Sequence, residues 1–122
     1  DLAFTQEFLR DPRMHIVVAL DQGTVVGFAS GVHYLHPDKP AELFITEVGV
    51  APSHQRQGVG RRVLEMLLKR GRELGCTQAW VLTSRTNTAA TRLYASLAGQ
   101  DASEKSQVMF EFQLLRGASS SE

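Results

Sequence analysis

The stretch Val48-Gly49-Val50-Ala51-Pro52-Ser53-His54-Gln55-Arg56-Gln57-Gly58-Val59-Gly60-Arg61 runs from a β-branched segment through a polar glycine turn into a helix. On its C-terminal side Val59, Val63, Met66, Leu67 and Leu74, with Leu64 and Leu68 beside them, recur at helical spacing with arginine, glutamate and lysine between. This predicts a helix over residues 58–74, stopped by Gly75. On its N-terminal side residues 43–50 read as a strand that ends at Ala51-Pro52. The first N–H groups of a helix have no partner within it, and the macrodipole places partial positive charge at the same end, so such a turn can hold an anion. Gly58 and Gly60 keep the approach to those amides open, and Arg56 and Arg61 add positive charge. Glycine pairs also occur at strand-to-helix turns for steric reasons alone. Two rival phosphate motifs are absent: there is no Gly-x-x-x-x-Gly-Lys-Ser/Thr and no three-glycine dinucleotide fingerprint.

Working outward, Phe4, Phe8 and Leu9 predict a short amphipathic helix over residues 3–10, ended by Asp11-Pro12. Residues 15–20 and 25–32 are β-branched runs joined by Asp21-Gln22-Gly23-Thr24, the pattern of an antiparallel hairpin. Residues 33–40 hold two prolines and read as a loop able to shape a site. Residues 79–83 look like a buried strand, with Trp80 in the core or, alternatively, walling a ligand cleft. Asn87-Thr88 can cap a helix whose inner face is Ala90, Leu93, Tyr94 and Leu97, with Gly99 ending it. Residues 108–115 alternate Val108, Phe110, Phe112 and Leu114 against Met109, Glu111, Gln113 and Leu115, which predicts a last strand. The expected architecture is α/β, a single mixed and mostly antiparallel sheet flanked by helices. One domain spans residues 1–116, and residues 117–122 form a polar tail.

The 122 residues are 43% hydrophobic and 21% charged, enough for one core and too few for two domains. Thirteen basic and thirteen acidic side chains cancel, which argues against a broad basic surface for nucleic acid. No apolar run approaches the length of a membrane span, roughly 18 residues. The single cysteine, Cys76, excludes an internal disulfide and points to a reducing compartment; with no secretory signal at Asp1-Leu2-Ala3-Phe4, the expected location is cytoplasmic. Cys76 reads as a small buried residue. His15, His33, His36 and His54 lack the spacing of a ligand set, so no metal is expected.

The pattern Val-x-Pro-x-x-Gln-x-x-Gly-x-Gly, carried by Val50, Pro52, Gln55, Gly58 and Gly60, resembles the acyl-CoA pyrophosphate motif of the GCN5-related N-acetyltransferases (GNAT). Asn87, followed seven residues later by Tyr94, is similar to a later helix of that family. The likeness covers about residues 17–99. It implies acetyl-CoA as co-substrate, with the backbone of Val48, Gly49 and Val50 along the thioester and pantetheine arm. The turn Gln55, Arg56, Gln57, Gly58, Val59, Gly60 and Arg61 would lie on the pyrophosphate, Asn87 on the arm and Tyr94 near the sulfur. A narrower resemblance, carried by Glu47 to His54 and the short end after Leu93-Tyr94, is to the type I aminoglycoside 3-N-acetyltransferases. It implies a polycationic amine as acceptor, with Asp38, Glu42, Glu47, Asp101 and Glu104 as available acids. Members of the family begin with a strand and a helix ahead of the point where this chain starts, so the resemblance implies a chain truncated, divergent or completed by a partner such as a second copy. The usual Gly-Phe after the tyrosine helix is Gly99-Gln100 here.

The chemistry of acetyl transfer suits these residue types. An alkylamine with a pKa of about 10 must lose a proton before it attacks a thioester, and the departing thiolate, pKa about 8.5, is helped by a nearby acid. Glu47, the one acid of the 43–50 strand, is the candidate base; alternation puts it on the face of Leu43, Ile45 and Gly49, where a carboxylate would need a partner or a raised pKa. Tyr94 is the candidate acid. Both have plainer readings, an edge glutamate paired to a base and a core aromatic. The leading function is direct acetyl transfer from acetyl-CoA to a small amine with no acyl-enzyme. The alternatives are a non-catalytic acyl-CoA-binding domain and an acetyltransferase acting on a protein or peptide amine.

Overall fold

The computed structural model describes residues 1–97, 99–101 and 109–115. Helix α1 spans Leu2–Arg10, and the Asp1 carboxylate caps it by accepting the Ala3 amide at 2.7 Å. It ends where the backbone turns extended at Asp11, ahead of Pro12. Its expected apolar stripe is not buried: Phe4 and Leu9 are exposed and Phe8 is half-buried. Strands β1 (Met14–Asp21) and β2 (Thr24–Tyr34) pair antiparallel, with Asp21 opposite Thr24. Only Gln22 and Gly23 lie between, at φ 51° and 82°, the left-handed pair that matches the twist of a two-residue hairpin. Strand β2 runs two residues into the segment expected as loop, because His33 and Tyr34 find partners in β3 (Glu42–Val50).

Strand β3 lies antiparallel to β2, while β4 (Gln78–Trp80) lies parallel to β3, giving the order β1-β2-β3-β4. A parallel neighbour requires a crossover, and α2 (Val59–Glu73) supplies it. Its C-terminus closes with the Gly75 amide on the Arg72 carbonyl and the Cys76 amide on the Gly71 carbonyl, around Gly75 at φ 85°. That reciprocal pair satisfies two otherwise orphaned carbonyls. The inner face of α2 is Val63, Leu64, Leu67 and Gly71, packed on Ala29, Leu43 and Ile45. Met66, expected inside, is 55% exposed, so the buried stripe is rotated toward Leu64. Leu43, Leu64 and Leu67 are fully buried, each contributing about 2 kcal/mol of apolar transfer. Helix α3 (Thr88–Ser96) lays Leu93 and Tyr94 against this core, joined by Leu97 just after it.

Between Ser30 and Gly31 the β2–β3 register slips: Ser30 faces Glu47, Gly31 faces Ile45, and Thr46 is the extra residue. This bulge reverses the alternation along β3. Leu43 and Ile45 point to α2 before it, and after it Val48, opposite buried Ala29, takes that role. Glu47 moves to the other face with Ser30, whose hydroxyl lies 2.7 Å from that of Thr46. The expected apolar setting for Glu47 is therefore corrected.

Two further expectations fail. Strand β4 is three residues long and exposed rather than a buried run over residues 79–83, and Trp80 is 42% exposed rather than core. Residues 109–115 form no strand, and Met109, Phe110, Phe112, Leu114 and Leu115 are exposed; alternation fits a strand only where a sheet edge is in reach. Val108, Glu104 and the tail over 117–122 lie outside the described residues. No helix among the described residues is long and apolar enough to cross a membrane.

Candidate active site

The turn before α2 begins with a single 3₁₀ turn, Pro52–His54, after which Gln55 is extended and Arg56 and Gly58 are left-handed at φ 62° and 82°. Gly58 is the N-cap of α2 and offers no side-chain cap. Among the described residues the amides of residues 55–61 donate to no backbone carbonyl; the first such bond belongs to Arg62, onto Gly58. A side chain at Gly58 would meet nothing within 4 Å, so the approach is open, whereas Gly60 sits close under Val50 and Leu93. A row of unpaired amides at a helix N-terminus, uncovered by side chains, fits a diphosphate.

Side chains fasten this turn from beneath. The Gln55 side-chain amide donates to the Val50 carbonyl at 3.3 Å, and that of Gln57 to the Ser53 carbonyl at 3.3 Å. Asp21, in the distant hairpin, accepts from Nε2 of His54 at 2.7 Å, and the Ser53 hydroxyl lies 2.7 Å from Nδ1. Because the carboxylate only accepts, Nε2 carries the proton and both ring nitrogens are occupied. The Arg61 guanidinium reaches α3, donating to the Ser96 carbonyl at 3.1 Å, with Glu65 at 3.8 Å. Arg56 is exposed at the turn itself.

Beyond Phe44 and Trp80, the last pair of the β3–β4 ladder, the two strands part. The Ala51 amide donates to Val26 in β2 at 2.8 Å. Backbone groups alternate sides along a strand, so the N–H groups of Val48 and Val50 point the other way, into the gap left by β4. Gly49 lies under the Phe28 ring, where a Cβ would come within 2.7 Å of it. Glu47 stands at the gap on the face away from α2, exposed and without a hydrogen bond or ion pair among the described residues. Tyr94 is half-buried against the core, and loss of water raises its phenol above the ordinary tyrosine value of 10.0. Asn87 caps α3, its side-chain oxygen accepting the Ala90 amide at 3.1 Å. The turn and the gap thus share the C-terminal end of β3, where Glu47 stands, while Tyr94 packs against the core from α3.

Sequence reasoning missed three features. The Asp21–His54 tie joins residues 33 positions apart and has no local signature. The bulge at Thr46 is equally silent. The third is a corner formed by Trp80, Tyr34, Glu42 and Phe44, of which the sequence reading held only Trp80 as an alternative cleft wall and Glu42 as an available acid. Among the described residues no three metal-ligating side chains converge.

The chain matches the model of the Acetyltransferase (GNAT) family over residues 1–99 and belongs to that family, whose members are acetyl-CoA-dependent N-acetyltransferases. It is 40% identical over 98 residues to N-alpha-acetyltransferase RimI of Mycobacterium tuberculosis, covering 80% of this chain and 59% of that protein. It is 34% identical over 82 residues to L-2,4-diaminobutyric acid acetyltransferase of Nocardia farcinica, covering 67% of this chain and 42% of that one. The chain therefore spans about half the length of these curated relatives. Among solved structures, an aminoglycoside acetyltransferase from an uncultured soil metagenomic sample superposes with a TM-score of 0.80 at 22% identity, over 94% of this chain and 75% of that one. An aminoglycoside N-acetyltransferase in complex with CoA superposes at 0.76 and 24% identity, over 92% and 84%. At these identities the structural likeness establishes the fold.

Proposed function

We propose that this chain catalyses transfer of an acetyl group from acetyl-CoA to a primary amine of a small cationic molecule. The observation that carries the reading is the run of unpaired amides over residues 55–61 beside the opening between β3 and β4. Those amides bind the diphosphate, and Arg56 adds charge at the rim. Val48 and Val50 offer their N–H groups to the thioester end, and the amide nitrogen of Asn87, which the cap leaves unused, is available to the arm. Glu47 takes the proton from the acceptor ammonium, directly or through water. Tyr94, a phenol protonated through the neutral range and raised further by burial, supplies a proton to the departing sulfur.

Curated relatives and structural neighbours act, by their names, on an alanine of a ribosomal protein, a diamino acid and aminoglycosides. Each is an amine, and the three differ in size, so the acceptor is set by residues outside the shared turn. Exposed acid at Glu47 supports a small cationic acceptor such as an aminoglycoside over a neutral one. Calorimetry with acetyl-CoA, followed by free-thiol release over a panel of amines, tests the proposal. Binding together with turnover on at least one small amine is expected. Binding without turnover on any amine would leave only a coenzyme-binding domain, and no binding would remove the reading altogether.

A further inference from the structure

The sheet face opposite α2 carries an ordered aromatic corner that the acetyl-transfer reading has not used. The Trp80 indole N–H donates to the Tyr34 hydroxyl at 2.6 Å, and the Tyr34 hydroxyl donates to Glu42 Oε1 at 3.1 Å. The other carboxylate oxygen of Glu42 faces Lys39 Nζ at 3.3 Å, and His36 Nε2 stands 3.6 Å from Oε1. Desolvation opposes the charge on Glu42, but the Tyr34 hydroxyl and Lys39 prevail and hold its pKa below the usual value. An ionised carboxylate can only accept, so the Tyr34 proton is committed to it and the phenol oxygen is left to accept from the indole. One face of the Trp80 ring stacks on Phe44, centroids 4.3 Å apart and planes 28° apart. Both surfaces of the chain of bonds are thus fixed, and an indole that is 42% exposed on an edge strand is nevertheless held in one orientation.

The position of this ring gives it a use. Phe44 and Trp80 are the last paired residues of β3 and β4, so the ring stands at the inner end of the gap, on the same face as Glu47. On the proposed function, a diphosphate on the N-terminus of α2 leaves the other face of the sheet, with Glu47 and the Trp80 ring, to the acceptor. An indole face attracts an ammonium group, and a ring already pinned loses little entropy on binding one.

We propose that Trp80 walls the acceptor pocket and recognises a cationic amine through its π face, with Tyr34 and Glu42 as positioning residues that hold the indole. This rests on the acetyl-transfer reading, and its test separates the two. Trp80 is the one tryptophan of the chain, so indole emission reports this site alone. Titration of the chain with 1,4-diaminobutane is expected to change that emission saturably, and 1,4-butanediol is expected to leave it unchanged. In turnover, Trp80→Leu is expected to raise KM for a cationic amine about tenfold while KM for acetyl-CoA stays constant, and Trp80→Phe to recover most of the loss. Tyr34→Phe, which removes the acceptor of the indole N–H, is expected to raise the amine KM several-fold in the same selective way. Emission that ignores the diamine, emission that responds equally to the diol, or variants that shift both KM values together would overturn the proposal. Should acetyl-CoA bind with no turnover on any amine, the catalytic reading fails, and the titration still decides whether Trp80 meets a cation.

Discussion

Tyr94 is the side chain whose chemistry is most open to a single measurement. Removing its hydroxyl in Tyr94→Phe is expected to lower kcat about a hundredfold with acetyl-CoA affinity retained, the size of a lost general acid, read by thiol release and calorimetry. Burial raises its phenol above 10.0, so the basic limb of the rate profile that belongs to Tyr94 lies on the alkaline side of that value. A limb at lower pH that survives in Tyr94→Phe would have to come from another group. His15 gives a second residue-scale test. Its Nε2 sits 2.7 Å from His33 Nδ1, and burial, then His33 and Arg70, lower its pKa below 6.5 in the folded chain. A folded-state pKa below the unfolded one means the unfolded chain takes up the proton first, so stability is full above pH 6.5 and falls as the pH drops below it. Urea midpoints measured on the acid side of 6.5 are expected to fall less steeply for His15→Asn than for the parent chain.

At the scale of the element, α2 and β3 show how far pattern reading reaches. The helix was legible because its apolar spacing and its glycine stop are local and agree with one another. Only the rotation that exposes Met66 and buries Leu64 was lost, since neighbouring positions on a broad stripe differ only in what the sheet presents. Leu67→Ala is accordingly expected to cost about 3 kcal/mol in urea unfolding, against well under about 1 kcal/mol for Met66→Ala. In β3 the alternation rule itself broke, because the residue that interrupts it, Thr46, is an unremarkable strand former. Gly31 adjoins the bulge, where a Cβ would come within 2.9 Å of the Phe44 carbonyl oxygen and 3.2 Å of Leu43. Gly31→Ala is expected to destabilise the chain by about 1–3 kcal/mol, since a backbone atom cannot step aside as a flexible side chain can. Strand β4 was overread for a related reason: three ladder pairs suffice where the strand then bends away, and the sequence beyond Trp80 stays strand-like without a partner.

Across the whole molecule the glycine turn before α2 was legible and the surroundings of the proposed site were only partly so. Glycine spacing and helix onset sit within one dozen residues. The tie from Asp21 to His54 and the corner at Trp80 join parts of the chain that only the finished sheet brings together. The Asp21 link fastens the turn to the opposite hairpin, so Asp21→Ala is expected to weaken acetyl-CoA binding several-fold by calorimetry, while the melting temperature moves little because the pair is exposed. An unchanged affinity would show that the turn holds its shape without outside help. The parting of β3 from β4 has a consequence for traffic. On the proposed function the coenzyme reaches this opening from the helix side and the acceptor from the side of Glu47 and Trp80. Two molecules using separate doors need not queue, so on the proposed function kinetics with no compulsory order of arrival are expected, read from product-inhibition patterns.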